Sequence, residues 1–158
     1  MNEQTNAAVE PVTQWVTFNL EDEKYGVDVM HVKEVLRETE IAPVPGAPHF
    51  VLGIINLRGN VVTVIDTHKR FGLNPGEVTE STRIVIIELD ENVIGLVVDS
   101  VAEVVDLPRS EVEHAPNVGN DESAKYIQGV ASRDDGLLIL IDIHKLVGGE
   151  DEWRSGGF

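Results

Sequence analysis

FVLGIINLRGNVVTVIDTHKRFG, residues 50–72, and YIQGVASRDDGLLILIDIHKLVG, residues 126–148, align without a gap. Gly53 matches Gly129, Ile65-Asp66 matches Ile141-Asp142, His68-Lys69 matches His144-Lys145, and Gly72 matches Gly148. Upstream, VTFNLEDEKYGVDVMHVKEVL (16–36) runs more loosely against VIIELDENVIGLVVDSVAEVV (85–105). There Leu20 falls on Leu89, Gly26 on Gly95, Val29 on Val98 and Glu34 on Glu103. Two separate blocks in the same order mark one small unit written twice, about 16–73 and 82–148.

The period within each unit is that of strands. Val16, Phe18 and Leu20 alternate with Thr17 and Asn19, as on a half-buried strand. Glu21 to Lys24 and Asp90 to Asn92 read as hairpin turns. Ile84 to Ile87 and Leu137 to Ile141 are apolar on both faces, so each of these strands should be covered twice. Val29, Val32, Val35 and Leu36 have helical spacing, but their β-branched content favours a short turn followed by a strand. Asp66 and Asp142 stand at strand ends and suit helix N-caps; Gly72 and Gly148 suit the left-handed position after the last helical turn. The expected fold is all-β, two five-stranded barrels packed side by side, each unit closed by a short helix. Residues 1–13 and 149–158 lack periodicity and read as flexible tails.

Composition narrows the function. The 158 residues are 42% hydrophobic, enough for a packed core, with a net charge of -16 and only 12 Lys and Arg. Nucleic acid binding and docking on an anionic membrane are both disfavoured. The chain has no cysteine, so disulfides, thiol nucleophiles and thiolate metal sites are excluded. The N-terminal stretch carries neither a basic nor an apolar signal region, and no apolar run is long enough to insert in a membrane. Together these predict a cytoplasmic protein.

No phosphate-binding loop, dinucleotide fingerprint, HExxH or nucleophile elbow occurs. The Asp-x-His pairs, Asp66/His68 and Asp142/His144, are the best metal or catalytic candidates, yet capping explains the Asp, the Gly and the duplication together. No catalytic residue, cofactor or metal ligand is expected. NLRG, residues 56–59, is a hairpin turn in which Asn56 and Gly59 form the bend and Arg58 sits at the tip. The second unit has Arg133-Asp134-Asp135-Gly136 there, an anion where the first has a cation. A guanidinium binds a carboxylate in fork geometry.

Several motifs carry a family resemblance: FxLxDxxYGVDV (18–29), VxEV (32–35), PxFVxGIINLRG (48–59), VVTVID (61–66), VIGLVVDSV (93–101) and YIxGV (126–130). Over about residues 14–148 the chain resembles the CheW-type chemotaxis coupling proteins. The resemblance implies two SH3-like barrels and no catalysis. It also implies an adaptor between the cytoplasmic tip of chemoreceptors and the regulatory domain of the histidine kinase CheA, recruited to membrane-bound receptor arrays, with self-association there as a further contact. Arg58 matches the family arginine associated with receptor binding, and Gly53, Asn56 and Leu57 match its supporting turn. Val32, Glu34 and Val35 match positions near the groove between barrels, and Gly95 and Val98 match a facing strand. The loop EVEHAPNVGN (111–120) corresponds to a kinase-facing region and puts Glu113 and Val118 forward. Two alternatives compete: a CheW-like adaptor of a surface-motility or second-messenger pathway, and a small metal-dependent hydrolase built on the Asp-x-His pairs.

Overall fold

The computed structural model describes residues 11–37, 39–114 and 122–148. Ten strands form in chain order: β1 (Val12–Leu20), β2 (Glu23–Asp28), β3 (Val32–Arg37), β4 (Val51–Leu57), β5 (Asn60–Asp66), β6 (Arg83–Leu89), β7 (Asn92–Val98), β8 (Ser100–Pro108), β9 (Ile127–Arg133) and β10 (Gly136–Ile141). Helix α1 (Thr67–Arg70) follows β5, and α2 (Ile143–Gly148) follows β10. Val29–His31 is a 3-10 turn leading into β3, as the β-branched content required. Of the two tails, residues 1–10 and 149–158 lie outside the described residues. Val12 and Thr13, expected in the first tail, belong to β1 and pair with Pro108 and Leu107.

Two five-stranded sheets result, ordered β8-β1-β2-β10-β9 and β3-β6-β7-β5-β4. Replacing each strand by its counterpart in the other repeat converts one order into the other, so the duplication is structural. The sheets nevertheless cut across the repeats. β1 and β2 of the first repeat sit among β8, β9 and β10 of the second, and β6 and β7 sit among β3, β4 and β5. The cause is parallel pairing: β2 lies parallel to β10 and β5 parallel to β7. A parallel neighbour cannot be the next strand in sequence without a crossover of a dozen or more residues. Only Val29–His31 separates β2 from β3, and only Asp99 separates β7 from β8, so at each point the chain passes to the other sheet.

Each sheet curls so that the segment following one edge strand bridges to the other edge. After β3 the chain returns to β4, where Ala42 and Ile54 exchange two backbone hydrogen bonds of 2.9 Å. After β8 it returns to β9, where Glu113 and Val130 exchange two of 2.8 Å. The matched glycines permit both closures. A Cβ on Gly53 would lie 2.2 Å from the Ala42 carbonyl oxygen, and one on Gly129 would lie 2.9 Å from that of Glu113.

The strands apolar on both faces are covered twice. Val85 and Ile87 of β6 and Ile139 and Ile141 of β10 enter one core shared by the two sheets, with Phe18, Tyr25, Phe71 and Tyr126. Their neighbours turn to smaller cores private to each sheet: Ile84 and Ile86 in one, Leu138 and Leu140 in the other. Phe18, Tyr25, Phe71 and Tyr126 form a row of rings with centroids 6.0, 5.7 and 5.8 Å apart. Burial, with Glu23 and Glu21 adding to it, pushes the Tyr25 hydroxyl up to about 12. Asp66 caps α1 through the Lys69 N–H at 3.2 Å, Asp142 caps α2 through that of Lys145 at 3.3 Å, Gly72 has φ 69°, and Gly148 ends α2.

Candidate functional site

The NLRG turn joins β4 to β5, with Leu57 paired to Asn60. Arg58 has φ 51° and Gly59 φ 90°, the two left-handed residues of a type I′ hairpin, whose twist matches that of the flanking strands. Asn56 Oδ1 accepts the Gly59 N–H at 2.8 Å and locks the turn. In the second repeat the turn residues Asp134 and Asp135 are not left-handed, and Gly136 takes φ 129°.

Arg58 meets Glu34 in fork geometry. Nη1 donates to Oε1 at 3.4 Å, and Nη2 contacts Oε2. The pair forms because the barrel closes: β3, which carries Glu34, and β4 are the two edges of one sheet. The arginine side chain is 64% exposed, so the guanidinium is oriented from below and open above. Its hydrogen bond to Glu34, then the carboxylate's charge, raises its pKa further above the ordinary arginine value. Val61 (67% exposed) stands beside Arg58 with bare aliphatic surface, whereas Val35 (40%) follows Glu34 on β3 and so points to the opposite face of that strand. An open depression of about 490 Å3 adjoins Arg58 and Val61 and is also lined by Lys33, Leu57 and Val93. Lys33 is tied to Glu88 at 3.4 Å.

Arg58, Leu57, Asn56 and Glu34 thus come together at one surface, and Val35, on the other face of β3, does not join them. Gly53 acts from below as the site of barrel closure. Val32 is half-buried against the shared core. Two further residues leave the candidate surface. Val98 is 0% exposed in the shared core, and Gly95 is buried, its missing Cβ only 2.8 Å from Ile84 Cγ2. Both lie on β7, in the same sheet as Arg58 and not on a facing barrel. A core strand cannot touch a partner while the core is closed. The sequence reading missed Val61. Val61-Val62 is a pair of adjacent apolar residues that point to opposite faces of one strand, and here the face that Val61 takes is left uncovered. Glu113 is exposed at the β9 edge, its backbone engaged in closure, and Val118 lies outside the described residues.

The corresponding surface on the other sheet has carboxylates at the hairpin tip where the first has Arg58. Glu103, Asp134 and Asp135 line a depression there together with Arg133, and Val104 and Leu137, the counterparts of Val35 and Val61, are exposed. Lys24 binds Asp135 at 2.7 Å and, chiefly through that hydrogen bond, lowers the Asp135 pKa. The Asp-x-His pairs hold caps, and among the described residues no group of three or more His, Asp or Glu could hold a metal. None of the described helices is long and apolar enough to cross a membrane.

The model of the CheW-like domain matches residues 14–151. The chain belongs to the CheW family. Chemotaxis protein CheW of Treponema pallidum is 36% identical over 137 residues, covering 84% of this chain and 81% of that protein. The Klebsiella aerogenes protein of the same name is 30% identical over 138 residues, covering 87% and 83%. The solved structure of the scaffolding protein TtCheW from Thermoanaerobacter tengcongensis superposes with a TM-score of 0.79 at 34% identity, covering 94% of this chain and 97% of that one. The chain is therefore a CheW-type chemotaxis coupling adaptor, and its role is non-enzymatic.

Proposed function

We propose that this adaptor joins the cytoplasmic tip of chemoreceptors to the regulatory domain of the histidine kinase CheA, and that the Arg58 hairpin faces the receptor. The observation that carries this is the fork-held guanidinium at a rigid left-handed turn, beside the exposed side chain of Val61. A helical tip bearing a carboxylate beside aliphatic residues has the matching chemistry. Glu34 holds Arg58 in the orientation in which a second carboxylate would find it. Val32 and Gly53 support the strand and the turn from beneath.

Glu113, and Val118 beyond it, belong to the kinase-facing side. A protein of this size offers about 800 Å2 per partner, so each contact is modest. Many copies in one array, self-association among them, raise the overall hold through effective concentration. Such an adaptor works in the cytoplasm and reaches the membrane only through its receptors. A surface-motility or second-messenger pathway would use the same surfaces with different receptors.

The test is binding of a receptor signalling fragment by wild type and by Arg58→Glu, with binding of the isolated kinase measured in parallel. Arg58→Glu is expected to lose receptor binding at least about tenfold and to keep kinase binding. Equal receptor affinity in the two proteins would reduce Arg58 to a turn residue.

A further inference from the structure

His68 is the buried group that the adaptor role leaves unexplained. It is 5% exposed, the second residue of α1. Nδ1 lies 2.7 Å from the Asn74 carbonyl oxygen and Nε2 lies 2.9 Å from Asp99 Oδ1. A carbonyl and an ionised carboxylate only accept, so satisfying both contacts takes a hydrogen on each ring nitrogen, the imidazolium form.

The bonds continue into a closed circuit. Asp99 Oδ2 accepts the Glu21 N–H at 2.8 Å, and Glu21 Oε2 accepts the Asn74 N–H at 3.0 Å. The Asp99 N–H donates to the Asn19 carbonyl at 3.0 Å. The circuit joins four segments: α1, the loop after it, the β1–β2 turn and the crossover between β7 and β8. The first two extend from one sheet, the turn belongs to the other, and Asp99 is the point where the chain changes sheets. Gly76 lies over the ring, since a Cβ there would sit 2.7 Å from Nε2.

The repeat supplies an internal control. His144 is the counterpart of His68, and Met30 is the counterpart of Asp99. With no carboxylate at that crossover, His144 stays 71% exposed, 3.8 Å from its own cap Asp142, and Met30 is 82% exposed. The His144 ring meets the His31 ring of the crossover edge to face, with centroids 5.5 Å apart. One seam between the sheets is bonded by a charged circuit, and among the described residues its twin shows none of this kind.

We propose that His68, held as an imidazolium between Asp99 and the Asn74 carbonyl, is a pH-sensitive latch across one of the two seams between the sheets. The groups that face it are Asp99 from the crossover, Glu21 from the hairpin through Asp99, and Asp66 on its own segment; Lys69 follows it outward, and Arg70 turns onto the Phe50 and Tyr126 rings. Burial alone would lower the pKa of the ring. The hydrogen bonds to Asp99 and Asn74 and the charges of Asp99 and Asp66 outweigh it and raise the pKa above the ordinary histidine value. A folded pKa above the unfolded one, about 6.5, fixes the sign: the latch stabilises fully below about pH 6.5 and is lost as pH rises through the folded pKa. On deprotonation one ring nitrogen loses its hydrogen and faces an acceptor without a donor.

The test is native-state hydrogen exchange on the full chain between about pH 6 and 9, read as protection factors at the Glu21 and Asn74 amides, both donors in the circuit. Wild type should lose protection as pH rises, and His144→Gln should follow it. His68→Gln and Asp99→Asn should be about tenfold less protected at the acid end, as expected for loss of one charge-assisted hydrogen bond, with a flatter profile. Retention of the wild-type slope in His68→Gln would overturn the latch. If that variant does not fold, the ring nitrogens of wild-type His68 decide by NMR: protonation of both at neutral pH supports the proposal, and a neutral ring sinks it.

Discussion

A methyl group at position 53 would press against the Ala42 carbonyl oxygen in a backbone that already has φ 154°, near the edge of the left-handed range. Gly53→Ala should therefore cost about 2–4 kcal/mol by opening the barrel seam. Gly59→Ala, at φ 90° with open space around it, should cost only about 1–2 kcal/mol of backbone strain. Urea unfolding of the two variants separates these values, and equal losses would argue against close approach as the reason for Gly53. Residues whose partners are local were legible in the sequence, as the Asp66 and Asp142 caps and Gly72 illustrate. Glu34 and Arg58 were each singled out, but their pairing was not, because β3 and β4 meet only when the sheet closes. Val98 was misplaced on a surface because a motif match does not tell which side of a strand faces the core.

Among the elements, β1 pairs with β8 through an irregularity in register between Val16 and Phe18. Thr17 sits there fully buried. Its hydroxyl donates to the Glu103 carbonyl at 2.7 Å and accepts the Glu103 N–H at 3.0 Å, replacing ladder bonds that the bulge breaks. The alternation of β1 marked Thr17 as outward-facing, since a period of two carries no sign of a bulge. Thr17→Val keeps the shape and removes both bonds, leaving two buried backbone groups unsatisfied. It should lower stability by about 1–3 kcal/mol in chemical denaturation; an unchanged midpoint would show that the bulge holds without the hydroxyl.

For the whole molecule, duplication and all-β class could be read from the aligned blocks, but the exchange of strands could not. Alternation reports which face of a strand is buried and not which strand lies beside it. The exchange has a direct consequence. A fragment of residues 1–79 holds β1 and β2 without β8, β9 and β10, and a fragment of 80–158 holds β6 and β7 without β3, β4 and β5. Each would expose the shared core, including Phe18, Tyr25, Ile87 and Leu96. Neither fragment alone should show a cooperative thermal transition, whereas the two mixed should recover one. Cooperative unfolding of either fragment by itself would contradict the interlocked arrangement.

The interlock also makes one rigid body with two related faces, a cation at one hairpin tip and two anions at the other, as suits an adaptor with two different partners. That claim is tested most directly by sedimenting receptor-containing membranes with the CheA kinase, with and without this protein. The kinase is expected to pellet in quantity only when the protein is present, and the protein to pellet with it. A kinase that pellets equally without the protein, or a protein left in the supernatant in the presence of both partners, would contradict it.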